Sequence, residues 1–186
     1  MRRYGWLTLV ALVAVSVSPS GPASAEERTC RRTIGATTVD NLRVPQGAEC
    51  TLNGTFVKGT VKVEARATLR AFDIRVIGNV QAENARRVVL RGGSRVGGSV
   101  QIVQGGSARI VNNRINGDIL FDEQDRHLVA NRNVVGGNLQ AFQNSGGVEI
   151  RRNRIDGNLQ CKENRPRPMG GGNLVQGNKE DQCRRL

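Results

Sequence analysis

Gly137-Asn138-Leu139-Gln140-Ala141 returns twenty residues later as Gly157-Asn158-Leu159-Gln160-Cys161, and that recurrence decides the fold. The same Gly-polar-aliphatic unit stands at Gly59-Thr60-Val61, Gly78-Asn79-Val80, Gly98-Ser99-Val100 and Gly117-Asp118-Ile119, and Gly177-Asn178 closes the series. Successive glycines are 19, 20, 19, 20, 20 and 20 residues apart. A fixed period of this length is the mark of a solenoid.

Alignment on the glycine extends the pattern through the whole period. Two residues after it stand Val61, Val80, Val100, Ile119, Leu139 and Leu159; four after it stand Val63, Ala82, Ile102, Phe121, Ala141 and Cys161. Two before it the residue is Val or Ile in every coil, from Val57 to Val175. Nine before it are Cys50, Leu69, Val89, Ala108, Leu128 and Val148. Seven before it are Leu52, Ala71, Ile110, Ala130 and Ile150, a column broken by Arg91 and Gly170. Each period therefore holds three short stretches whose side chains alternate inward and outward, as strands do. Strands stacked on their counterparts one period later lie about 4.8 Å apart. The expected fold is all-β, a parallel β-helix of about seven coils, since each coil buries its apolar residues only against its neighbours.

The glycines are expected at corners, where a positive φ or a tight backbone is needed. Four residues before them Asn113, Asn133, Asn153 and Asn173 recur. Asparagine at a bend tolerates the left-handed conformation and can bond to its copies above and below. The stretches Val111-Asn112-Asn113-Arg114-Ile115-Asn116-Gly117 and Glu149-Ile150-Arg151-Arg152-Asn153-Arg154-Ile155-Asp156-Gly157 resemble the repeats of right-handed parallel β-helix proteins, the pectin-lyase-like fold. The resemblance covers residues 41–178 and concerns the fold. The 19–20-residue spacing favours the right-handed form over the left-handed one with its stricter hexapeptide register.

The chain opens with Met1-Arg2-Arg3, an apolar run from Trp6 to Val17, and Ala23-Ser24-Ala25. That order reads as a secretory signal peptide over residues 1–25, in a run too short for the about 20 residues that span a bilayer. The secreted bacterial-type chain would then comprise an N-terminal cap at 26–40, the helix at 41–176 and a capping coil at 177–186. In that last coil Lys179 and Asp181 stand where apolar residues belong. Four cysteines in an exported chain imply two disulfides. Cys30 and Cys50 are 20 residues apart and Cys161 and Cys183 are 22 apart, about one coil in each case. Residues one coil apart are axial neighbours within disulfide range, so Cys30–Cys50 and Cys161–Cys183 are the expected staples.

Basic residues outnumber acidic ones by 28 to 16, a net charge of +12 that becomes +10 without Arg2 and Arg3. Anionic partners follow from that balance, such as acidic polysaccharide or a cell-envelope polymer. Arg75, Arg95, Arg114 and Arg154 recur three residues before the glycine, and Gln81, Gln101, Gln140 and Gln160 three after it; these eight outward residues are the candidate binding set. An arginine column offers planar donors to carboxylate, sulfate or phosphate. It also serves simply to lay arginine stems over apolar surface.

For catalysis the best carboxylate pair is Asp118 with Asp156, two coils apart beside corner glycines, where a glycosidase needs carboxyls roughly 5–10 Å apart. Both also read as polar corner residues. Asp122, Glu123 and Asp125 form the one acidic cluster, which reads first as a solvated loop and only weakly as a Ca²⁺ site. His127 is the only histidine, which leaves no His–His pair and no His-rich metal site. The expectation is a monomeric, non-catalytic β-helix without a cofactor, secreted to the periplasm, envelope or exterior. It would bind an anionic glycan through its basic face, with no nucleic acid and no membrane span. Two other readings stay open: a polysaccharide lyase or hydrolase of the pectin-lyase-like fold, and a structural or self-assembling envelope module.

Overall fold

The computed structural model describes residues 26–186, so the expected signal segment lies outside the described residues. The chain winds as a parallel β-solenoid of about seven turns, with three sheets of nine, eight and eight strands. One turn supplies Val100–Val103 to the first sheet, Ser107–Val111 to the second and Arg114–Ile115 to the third. The next turn stacks on it in parallel register, with Ile102 beside Phe121, Ile110 beside Ala130 and Ile115 beside Val135.

The inward columns meet in one continuous core. Val61, Val80, Val100, Ile119, Leu139 and Leu159 are all fully buried, and Phe121 sits among them as the largest buried side chain. No coil could bury these residues alone, so the solenoid gains its stability from stacking.

One column departs from the expectation. Val88, not Val89, pairs with Leu69 and Ala108, and Leu90, not Arg91, pairs with Ala71 and Ile110. The break ascribed to Arg91 is therefore a register shift. The residue that causes it lies in the pair Gly92-Gly93, whose φ angles of 81° and 86° bulge the corner between the second and third sheets. In later coils the twentieth residue sits instead at the corner between the first and second sheets, as in Phe121 to Leu128. Val89 points outward between Arg70 and Arg109 and is still only 5% exposed. Its register neighbours on that face are both arginines, whose long stems suit the covering of apolar surface.

The corner glycines do not adopt positive φ; they answer to crowding. A Cβ at Gly78 would lie 2.7 Å from the Gly59 carbonyl oxygen and 2.8 Å from Thr60 Oγ1. The left-handed residues stand one position before the recurrent asparagines, at Asn112, Arg132 and Arg152, with φ of 59°, 56° and 53°. The asparagines themselves turn inward as a buried ladder. Asn113, Asn133 and Asn153 each donate Nδ2 to the next asparagine's Oδ1 at 3.0–3.4 Å, and their backbone N–H groups donate to the same oxygens.

Residues 26–40 contribute Glu27–Thr29, Thr33–Ile34 and Thr38–Val39, one strand to each sheet. At the other end Lys179–Asp181 adds the ninth strand of the first sheet, with Lys179 beside Leu159 and Asp181 beside Cys161. Both disulfides form as the coil spacing requires, Cys30–Cys50 with Cα atoms 5.6 Å apart and Cys161–Cys183 with 5.2 Å. They fit an oxidising compartment.

Candidate functional site

The third sheet supplies only two residues per strand, so one side chain per coil faces solvent. In three successive coils that side chain is arginine: Arg95 pairs with Arg75 on one side and Arg114 on the other. Val134 follows, then Arg154. The Arg75 guanidinium lies over the Phe56 ring, 5.1 Å from its centroid. Arg154 faces Asp156 at 3.7 Å. Among the described residues no carboxylate comes within ion-pair distance of Arg75, Arg95 or Arg114. The strands that carry these three arginines lie about 4.8 Å apart, and like charges on neighbouring strands repel one another.

The glutamines do not join this face. Gln81, Gln101, Gln140 and Gln160 belong to the first sheet. They bond mainly along the axis: Gln81 Nε2 donates to Gln101 Oε1 at 3.2 Å, Gln140 to Gln160 at 2.7 Å, and Gln160 to Glu180 at 2.8 Å. Leu120 interrupts the column between Gln101 and Gln140. The eight residues read as one binding set thus split between two sheets.

Asp118 and Asp156 stand in different columns, one after and one before the corner glycine. Asp118 Oδ1 accepts from the Asn138 backbone N–H at 2.6 Å and from Asn138 Nδ2 at 3.2 Å. It is one rung of a corner ladder in which Asn79, Ser99, Asp118, Asn138 and Asn158 each receive the amide of the next coil. Asp156 accepts from Gln176 Nε2 at 3.0 Å.

In the acidic cluster Glu123 accepts from Gln104 Nε2 at 3.0 Å and Asp125 faces Arg126 at 3.9 Å. Asp122 lies on a strand of the first sheet, where burial, and then the charge of Glu123, push its carboxyl above the usual value. Among the described residues no three metal-ligating side chains converge. His127 is exposed just before its second-sheet strand, and Glu149 stands two positions on in the next coil.

Two features escaped the reading of columns. One is a second buried amide ladder, Gln124–Asn144–Asn164, at the corner between the first and second sheets. Its signal was present, since these residues stand seven after successive glycines. The other is a group of arginines at and beside the same corner, Arg66, Arg70, Arg86, Arg87 and Arg126, of which only Arg87 and Arg126 share a position counted from the glycine. No column unites them, so only the folded corner assembles them.

Comparison with protein-family models, with curated proteins and with solved structures finds no significant match to this chain.

Proposed function

We propose that this is an exported, non-catalytic β-solenoid that binds an anionic glycan or envelope polymer along the arginines of its third sheet. The observation that carries this reading is the run Arg75–Arg95–Arg114 on three adjacent strands, with no carboxylate among the described residues within ion-pair distance of it. Arginines borne on successive strands about 4.8 Å apart suit a chain of carboxylates or sulfates better than a single small anion. Export is supported by the charged, apolar and small-residue segments before Glu26 together with the two disulfides. The 19–20-residue coil and its asparagine bend support the right-handed, pectin-lyase-like form of the solenoid. The lyase or hydrolase alternative draws no support from Asp118, whose Oδ1 is engaged by Asn138.

The test is retention on immobilised polygalacturonate and on an uncharged glucan at low and physiological salt. The reading expects salt-sensitive retention on the acidic polymer alone, without its breakdown, and loss of retention in the Arg95→Ala/Arg114→Ala variant. Retention that survives the double substitution would overturn it.

A further inference from the structure

A second group of arginines gathers at the corner between the first and second sheets. Arg70, Arg86, Arg87 and Arg126 close around a pocket of about 240 Å³ whose other walls are Thr68 and Ser107. The pocket adjoins a shallow groove of about 1240 Å³ along the same corner, where Arg66, Arg86 and Arg126 recur on the walls.

The indentation has a local cause. Between the coil that bears Arg86 and the coil that bears Arg126 stands Gly105-Gly106, a rung without side chains. A Cβ at Gly105 would lie 2.5 Å from the Ala85 carbonyl oxygen, so no larger residue fits that backbone approach. Arg86 and Arg126 therefore flank a gap of two coil rises, about 9.6 Å.

Charge and donors both face the gap. Glu49 pairs with Arg70 at 3.2 Å and also with Arg86, and Asp125 faces Arg126 at 3.9 Å. Arg87 has no carboxylate within ion-pair distance among the described residues. Neither Glu49 nor Asp125 lines the pocket. Thr68 is 1% exposed, and its Oγ1 accepts from Arg86 Nε at 3.1 Å, which leaves the hydroxyl proton to donate. Ser107 adds a second hydroxyl, half-buried on the neighbouring coil.

We infer that this pocket binds a tetrahedral oxyanion, a phosphate or sulfate group, through Arg70, Arg86, Arg87 and Arg126 with the Thr68 and Ser107 hydroxyls. Forked guanidinium donors pair bidentately with such groups, and four of them with two hydroxyls match three or four oxygens rather than the two of a carboxylate. The site uses none of the third-sheet arginines, so it stands apart from the proposed polymer face. The adjoining groove leaves room for whatever bears the group.

Titration calorimetry on the purified, oxidised protein tests this, with inorganic phosphate, sulfate, acetate and glucose 6-phosphate as probes in chloride buffer. Phosphate and sulfate are expected to bind and acetate about tenfold more weakly. Arg87→Ala, at an exposed position, is expected to cost about tenfold in affinity, and Arg126→Ala a similar loss. Arg95→Ala/Arg114→Ala is expected to bind as the unsubstituted protein does. Tighter binding of glucose 6-phosphate than of free phosphate assigns the groove to the bearer of the group; equal binding assigns the pocket to the free ion. No heat from either ion, or no effect of Arg87→Ala and Arg126→Ala, overturns the inference. Loss confined to the third-sheet variant overturns it too, while leaving the polymer reading in place.

Discussion

Asn153 Oδ1 accepts two hydrogen bonds from Asn133, one from its backbone N–H at 2.9 Å and one from its Nδ2 at 3.1 Å. Asn153 in turn donates its own Nδ2 to the Ala130 carbonyl oxygen at 2.7 Å. All three groups lie in the dry interior, where an unmet donor costs about 1–3 kcal/mol. Asn153→Ala is therefore expected to lower unfolding stability by about 3 kcal/mol in urea denaturation. Asn133→Ala should cost a similar amount, and the double variant less than their sum, since neighbours in one network do not add. Additive losses would mean that the ladder is not a coupled unit.

Leu90 and Arg91 decide the register of the coil that holds Gly92-Gly93. Leu90 is fully buried between Ala71 and Ile110, whereas Arg91 faces solvent over the Phe72 ring at 5.2 Å. Leu90→Ala should cost about 2–5 kcal/mol and Arg91→Ala within about 0.5 kcal/mol. The opposite order in thermal melts would restore a uniform spacing and refute the bulge.

The two disulfides close loops at opposite ends, their cysteines 20 and 22 positions apart in sequence. Each is expected to contribute about 3 kcal/mol on the loop-entropy estimate. Because coils stack one-dimensionally, Cys161→Ser/Cys183→Ser should release the last coil before the rest. Hydrogen exchange would then quicken first at Lys179–Asp181 and leave Val100–Val103 protected. Uniform loss of protection would show that the solenoid melts as one block.

Acid should weaken the fold. Hydrogen bonds and charge from Arg70 hold Glu49 below the ordinary value of 4.5, and the Gln46 backbone N–H does the same for Glu64. Asn131 Nδ2 lowers Glu149 and Gln143 Nε2 lowers Glu163. A carboxylate with a depressed value binds fewer protons folded than unfolded. Its contribution is thus complete above 4.5 and lost as pH falls through the depressed value. Asp122 acts in the opposite sense, because its value is raised. Four against one, the melting temperature should hold from neutral pH down to about pH 5 and then fall. Glu64→Gln should make that fall shallower; an unchanged acid profile would remove Glu64 from the account.

Most of the fold was legible because a solenoid repeats its chemistry at fixed intervals. Column by column, Val61 to Leu159 and Val57 to Val175 announced the inward faces, and the cysteine spacings announced the staples. What misled was the assumption of a constant register within each coil. A twentieth residue can enter at either of two corners, and Gly92-Gly93 places it where Val89 and Arg91 appear to occupy inward positions. Asparagine bonds to its copies at the bend, as its recurrence implies, but the left-handed turn belongs to the residue before it.

The candidate sites were less legible for the same physical reason. A sequence column shows that Arg75, Arg95 and Arg114 recur, and parallel register makes them neighbours. It does not show which sheet a column belongs to relative to another, and the glutamine and arginine columns fall on different faces. By itself the sequence determined the period, the inward residues, the corner polarity and the disulfide partners, all consequences of one local pattern repeated along an axis. Only the tertiary structure decided which outward columns share a face, where the extra residue bulges, and that Arg70, Arg86, Arg87 and Arg126 meet at one corner. Those relations depend on how each coil turns between sheets, which side-chain periodicity along the chain does not encode.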